Sequence, residues 1–166
     1  ICHSDMHFFN GSYPGKVPMV LGHESTGIVE QVGSDVHYVK PGDHVITCLS
    51  VFCGHCEQCV TGHLSLCGED EVNRGPEEEP RLSQDGQSLE QFARLGSFAE
   101  MMLVHEHAVV KIREDMPSAQ AALIGCGVTT GIGAVIHTAK VEPGATVAVI
   151  GCGGIGLSTI NGAAIA

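Results

Sequence analysis

The chain has 166 residues, 43% of them apolar and 16% charged. That composition fits one globular domain or a small pair and excludes a disordered chain. With 19 Asp and Glu against 8 Lys and Arg, the net charge is -11, which argues against nucleic acid or an anionic membrane as a partner. By inspection no apolar run is expected to reach the length of a membrane span, and no charged-then-apolar leader is expected. The chain starts at Ile1 and stops at Ala166 inside an apolar segment, so a piece of a longer protein is expected.

Cys2-His3-Ser4-Asp5-Met6-His7 packs a thiol, two imidazoles, a hydroxyl and a carboxylate together without apolar periodicity. A loop or helix start outside the core is predicted, and alone the segment reads as a buried cysteine with solvated neighbours. Gly11, Pro14, Gly15 and Pro18 punctuate a loop. Gly22-His23-Glu24-Ser25-Thr26-Gly27 then leads into residues 28–33, which are rich in β-branched side chains and read as a strand. His23 and Glu24 stand at its entrance between glycines that permit close approach. Taken by itself, His23 is either a ligand or a satisfied core histidine. Pro41-Gly42-Asp43 predicts a turn and residues 44–48 a strand. Short strands with Gly and Pro turns suggest a β-rich, barrel-like domain.

Cys53, Cys56, Cys59 and Cys67 form C-x2-C-x2-C-x7-C. Four thiolates this close can surround one tetrahedral ion, and Zn²⁺ suits that set. Metal binding would hold together a lobe with little apolar content. An iron–sulfur cluster and disulfides are the alternatives. The ferredoxin run has a shorter last gap, and three cysteines two residues apart pair awkwardly with one another. The spacing and the lack of a leader favour metal over a secreted disulfide scaffold, and so a reducing cytoplasm.

Residues 69–81, with Glu77-Glu78-Glu79, read as a solvated acidic loop, with substrate discrimination as the sharper alternative. Residues 97–104 and 108–112 read as strands, with His105-Glu106-His107 as the turn between them and not as a metal site. Ser118 is a candidate N-cap for a helix over 119–123. Residues 132–139 predict a buried helix, and Pro143-Gly144 a turn. Thr146-Val147-Ala148-Val149-Ile150 has the pattern of a buried parallel strand. Gly151-Cys152-Gly153-Gly154-Ile155-Gly156 follows and opens a small-residue helix. It is a G-x-G-x-x-G in dinucleotide-binding context, with a helix N-terminus for the phosphates.

Cys2-His3-Ser4-Asp5, Gly22-His23-Glu24-x2-Gly27-x5-Gly33-x2-Val36, the four-cysteine lobe, Gly125-Cys126-Gly127 and the glycine fingerprint occur in one order. That order resembles the zinc-containing alcohol dehydrogenases of the medium-chain dehydrogenase/reductase family over nearly the whole chain. The resemblance implies a GroES-like β-rich catalytic domain over 1–126, N-terminally incomplete, with a zinc lobe at 53–67. The start of a Rossmann NAD-binding domain would follow over 127–166. It implies two zinc ions per chain. The catalytic one would lie on Cys2, His23 and Cys126, a Cys2His set known for alcohol dehydrogenase. The structural one would lie on Cys53, Cys56, Cys59 and Cys67. Glu24 would stand behind the metal, and Asp5 would orient His23. Ser4 would take the substrate proton, and His7 would relay it. His3 would meet the cofactor pyrophosphate, Thr130 the nicotinamide, and Gly151, Gly153 and Gly156 the dinucleotide. Cys48 and Cys152 match no ligand and are expected as small buried side chains.

The implied function is hydride transfer between a primary alcohol, or its aldehyde, and NAD, with NADP as the other choice. Zinc acts as Lewis acid and the cofactor takes the electrons. S-(hydroxymethyl)glutathione dehydrogenase activity is the alternative within the family. The non-catalytic alternatives are a zinc-stabilised binding module and a relative without dehydrogenase activity. The resemblance also implies a small alcohol or aldehyde as substrate, a homo-oligomeric full-length protein, and no turnover by these 166 residues alone.

Overall fold

A computed structural model describes residues 1–72 and 77–166. Helix α1 (His3–Phe9) opens the chain, and its N-cap is Cys2. The carboxylate of Asp5, at the third helical position, reaches back to accept the Cys2 N–H at 2.9 Å. This is half of a reciprocal cap, and it satisfies a donor that the helix start would otherwise leave free. Helix formation thus brings Asp5 inside to 2% exposure, where the sequence predicted no core role.

Strands β1 (Met19–Val20), β2 (Thr26–Ile28) and β3 (His44–Thr47) follow. Helix α2 (Glu57–Val60) lies in the cysteine lobe. Next come β4 (Ser83–Gln84), β5 (Gln87–Ser88), β6 (Glu90–Gln91) and β7 (Val109–Lys111). The main sheet is antiparallel in the order β2-β3-β7, with Gly27 opposite Val45 and Ile46 opposite Val110. β1 pairs parallel with β6, and β4 with β5 as a hairpin. Every residue of β3 is buried, and one core cluster, Val39, Val45 and Val109, gathers on this sheet. A second cluster, Val51, Val72, Leu95 and Ala108, underlies the lobe.

The turn before β3 is tied on three sides. The Asp43 carboxylate accepts the Lys40 N–H at 3.0 Å and the Lys111 ammonium at 2.6 Å. The Asp43 carbonyl accepts the Val29 N–H at 3.0 Å. The strand expected over 28–33 is therefore shorter and earlier: it ends at Ile28, and Val29 makes the last bonds to the turn.

Helices α3 (Ser118–Ala121) and α4 (Thr129–Gly133) are joined and extended by wider π-type turns at Ile124–Val128 and Ala134–Ala139. Pro117, not Ser118, is the N-cap, and no side chain caps this end. The whole stretch Ser118–Ala139 is long and apolar enough to cross a membrane by length and composition, contrary to the sequence reading. It packs against helix α5 (Gly154–Ile165). Within 132–139 only Val135 is buried, so the helix expected there forms but is largely exposed.

Two predicted strands do not form. Over 97–104 only Ser97 and Phe98 donate, to the Gly22 and Leu21 carbonyls, and no ladder continues. Residues 146–150 have no strand partner among the described residues, and Ile150 is 101% exposed. A parallel strand exists only through its neighbours, and none of the described residues supplies one. His105-Glu106-His107 lies in a turn as expected. The Nδ1 of His107 lies 2.6 Å from the Phe52 carbonyl, with its ring stacked on Phe52. Glu77, Glu78 and Glu79 are exposed, and residues 73–76 of the acidic loop lie outside the described residues.

Candidate active site

Three segments distant in sequence meet at one point. The N-cap of α1 brings Cys2, the segment entering β2 brings His23, and the turn between α3 and α4 brings Cys126. Their ligand atoms lie within 4.8 Å of one another. His23 is 2% exposed, and its Nδ1 is 3.2 Å from Asp5 Oδ1. The same oxygen accepts the Gly22 N–H at 2.9 Å. A carboxylate oxygen there acts as acceptor, so His23 carries its proton on Nδ1 and leaves the Nε2 lone pair for a cation. One buried carboxylate thereby fixes the backbone of Cys2, the backbone of Gly22 and the ring of His23.

Cys126 is held by close approach. A Cβ at Gly125 would stand 2.1 Å from the Thr47 carbonyl oxygen, so only glycine lets this turn lie against the end of β3. On the other side of Cys126, the Gly127 N–H donates to Glu24 Oε1 at 3.2 Å. Burial, then the neighbouring Cys2 thiol, pushes the Cys126 thiol up to about 11. That thiol stays protonated by itself, whereas a divalent cation beside it would draw it to thiolate. Two thiols and one imidazole nitrogen are the donor set that borderline-soft Zn²⁺ takes, with a fourth position left open.

Ser4 Oγ lies 3.7 Å from Cys2 Sγ. His7, three residues on, shares that helix face. Its ring is 5.4 Å from that of His3 and 4.7 Å from that of Tyr13. A cleft of about 630 Å³ is lined by Cys2, His3 and Glu24 together with Gly151, Gly153 and Gly156. A Cβ at Gly156 would come within 2.0 Å of the Gly151 carbonyl oxygen, so the missing side chain lets the loop fold onto the start of α5. Thr130 is not among the residues that line this cleft; it lies in α4, four residues after Cys126. Cys152 is exposed and Cys48 half-buried, so Cys152 departs from the expected burial: it sits on a loop that turns outward.

The second cluster is the lobe. Cys53, Cys56, Cys59 and Cys67 have their sulfurs mutually within 4.8 Å. Cys53 Sγ is 3.8 Å from Cys59 Sγ, and Cys56 Sγ is 3.4 Å from it. The eight cysteines are unpaired, and the four lobe sulfurs gather around one point at non-bonded distances, which favours a shared ion over disulfides. A tetrahedron with metal–sulfur bonds of about 2.3 Å has sulfur–sulfur edges of about 3.8 Å, so the spacing fits Zn²⁺. The N–H groups of Cys53 and Cys56 point at Cys67 Sγ and Cys53 Sγ, at 3.4 and 3.3 Å. Backbone N–H groups of Glu69 and Cys53 bring the Cys67 thiol down to about 7, while burial pushes Cys59 up to about 12. Beside the lobe, His55 and Glu71 form an exposed ion pair near Cys53.

Sequence reasoning missed two neighbours of His23. Phe92 meets its ring edge-to-face at 5.2 Å. Thr47, 1% exposed, donates to the His23 carbonyl at 3.1 Å. Nothing in the local sequence of either announces a site; a β-branched polar residue closing a strand of otherwise buried residues was the one available hint for Thr47.

Comparison with known proteins bears on this arrangement. The family described as the alcohol dehydrogenase GroES-like domain matches residues 1–114. The chain is 46% identical over 169 residues to S-(hydroxymethyl)glutathione dehydrogenase of Saccharomyces cerevisiae, covering 98% of this chain and 44% of that protein. It is 44% identical over 168 residues to the Escherichia coli O1:K1 protein of the same name, covering 98% of this chain and 46% of the relative. The chain thus spans about half the length of the curated relatives it matches. Among solved structures, an alcohol dehydrogenase zinc-binding domain protein from Burkholderia ambifaria superposes with TM-score 0.86 at 34% identity, over 99% of this chain and 46% of the other. Benzyl alcohol dehydrogenase from Acinetobacter calcoaceticus gives TM-score 0.83 at 34% identity, over 99% of this chain and 45% of that one.

Proposed function

The chain belongs to the zinc-containing alcohol dehydrogenases of the medium-chain dehydrogenase/reductase family, whose GroES-like domain it carries, and on that premise we propose that the whole protein transfers hydride between a primary alcohol and NAD. The observation that carries this reading is a shared cleft: Cys2 and His3 line it together with Gly151, Gly153 and Gly156, and His23 and Cys126 converge on Cys2. Cys2, His23 and Cys126 would hold a catalytic zinc, and the four lobe cysteines a structural one. Zinc, when bound, supplies Lewis acidity that lowers the pKa of the alcohol hydroxyl, and NAD supplies the hydride acceptor.

The chain's own residues do the rest. Asp5 orients His23 and so fixes the ligand set. Glu24 ties the His23 segment to the Cys126 turn through Gly127. Ser4, beside the ligand sulfur, receives the alcohol proton, and His7 on the same helix face is its exit to solvent. His3 and the α5 N-terminus bind the dinucleotide phosphates. Thr130 would stand beside the nicotinamide. The catalytic domain runs over 1–126 and the dinucleotide domain starts at 127. A lobe whose cysteines are spaced for a metal fits a reducing, cytoplasmic setting, and the full-length protein is a homo-oligomer.

Two observations divide the substrate question. The relatives' name favours the glutathione adduct of formaldehyde. The likeness to benzyl alcohol dehydrogenase from Acinetobacter calcoaceticus at 34% identity favours an uncharged primary alcohol. The test is NADH absorbance on full-length protein with a primary alcohol and with S-(hydroxymethyl)glutathione, beside zinc content per chain. Turnover of either with two zinc ions bound supports the reading, and the larger kcat/KM assigns the substrate. Two zinc ions without turnover of any alcohol would leave a non-catalytic relative.

A further inference from the structure

The two segments that carry His23 and Cys126 are not bonded to each other through the ligands themselves. They meet through Thr47, the last residue of β3. Its hydroxyl proton faces the His23 carbonyl at 3.1 Å and the Ser25 carbonyl at 3.3 Å, the nearer being His23, and its oxygen accepts the Ser25 N–H at 3.2 Å. The Ser25 hydroxyl is 3.0 Å from it, and the Thr47 N–H donates to the Ser25 carbonyl at 3.0 Å. One residue therefore grips the backbone on both sides of Glu24. The carbonyl of the same residue is the surface on which Gly125 lies, with no room for a Cβ. From Gly125 the chain passes Cys126 to Gly127, whose N–H returns to Glu24 at 3.2 Å. The circuit closes on itself, with His23 on one side and Cys126 on the other.

We propose that Thr47 is the positioning residue that sets the separation of His23 and Cys126, through its hydroxyl to the first and its carbonyl to the second. The inference rests on the proposed zinc site at Cys2, His23 and Cys126. Thr47 touches neither metal nor substrate; it acts through the two segments it holds. A buried hydroxyl with this many partners cannot be replaced by a methyl without leaving the His23 carbonyl and the Ser25 N–H short of a partner. The main chain of the His23 segment would then shift away from β3, while the lobe, on the other core cluster, stays as it is.

The test compares Thr47→Val, which keeps the shape and loses the hydroxyl, with Thr47→Ser, which keeps the hydroxyl, in the full-length protein. Zinc per chain is measured after a chelator challenge, and the Co²⁺-substituted protein gives the thiolate-to-metal absorption of each site. Outer-shell partners of ligands typically govern metal affinity by about 10–100-fold, and a loss of about tenfold is expected in T47V. That loss is confined to the cleft ion, with its Co²⁺ bands shifted, while the lobe ion stays bound and T47S matches wild type. Equal affinity and an unshifted spectrum in T47V overturn the proposal. Loss of both ions in T47V, or a T47V chain that does not fold while T47S does, overturns it too, because the hydroxyl would then serve the fold at large. Thr47→Ala, with less bulk to misplace, repeats the comparison. A wild-type protein that binds only the lobe ion would instead overturn the zinc site itself.

Discussion

At the scale of single residues, Asp5 carries more of the site than any group that could touch a metal. Its two oxygens accept from the Cys2 N–H, the Gly22 N–H and the His23 ring. Replacing it by Ala frees all three at once and leaves a buried imidazole without its orienting acceptor. The expected result for D5A is a loss of about 10–100-fold in affinity for the cleft ion, with the lobe ion unaffected, read by chelator competition. D5N discriminates further: its amide can accept on one side only and sets a donor against the second N–H, so it should fall between D5A and wild type. A D5N protein with wild-type affinity would mean that the carboxylate's second oxygen is dispensable. The ligand types at this site are legible in the sequence because Cys, His and Gly-flanked motifs announce themselves. Thr47 and Phe92 are not, because their partners are a main-chain carbonyl and a ring edge, which no residue type encodes.

At the scale of elements, the turn before β3 and the β3–β7 pairing share one ion pair. The Lys111 ammonium beside Asp43, joined by the Lys40 N–H, holds the Asp43 carboxyl below the usual carboxylate range against the opposing effect of burial. A carboxyl depressed in the folded state contributes stability that is fully present above its unfolded pKa and is lost as pH falls through its folded value. The difference in thermal midpoint between wild type and D43N should therefore be constant above about pH 5 and shrink below about pH 4, where the unfolded carboxyl protonates first. A difference that stays constant to pH 3 would mean the pair does not couple to folding. β3 and the neighbouring turn were readable from Pro41-Gly42-Asp43 and the apolar run after it. The strand expected at 146–150 was not realised: its apolar pattern is a statement about neighbours, and none of the described residues stands beside it. The helical stretch 118–139 was legible only as two helices, over 119–123 and 132–139, because the glycines and threonines of 125–131 broke the apolar pattern; π-type turns carry the helix through that gap.

At the scale of the whole molecule, the two candidate metal sites differ in what depends on them. The cleft site draws its ligands from three segments that have other reasons to be in place: the N-cap of a helix, the segment entering β2 that bonds to Thr47, and a turn packed on Thr47. The lobe has little beyond its four sulfurs, a short helix and two buried valines flanking it. Structural zinc in small peptides is worth about 10–16 kcal/mol, comparable to the whole stability of a domain at about 5–15 kcal/mol. The order of metal removal should therefore be visible. A three-ligand site open to a cleft releases its ion to a chelator first, and that step should abolish turnover of the full-length protein while leaving hydrogen-exchange protection over residues 53–67 in place. Removal of the second ion should erase protection over residues 53–67 and lower the thermal midpoint. If turnover and lobe protection disappear in a single step, the two sites are one cooperative unit, and the independence of the circuit around Thr47 from the lobe fails with it.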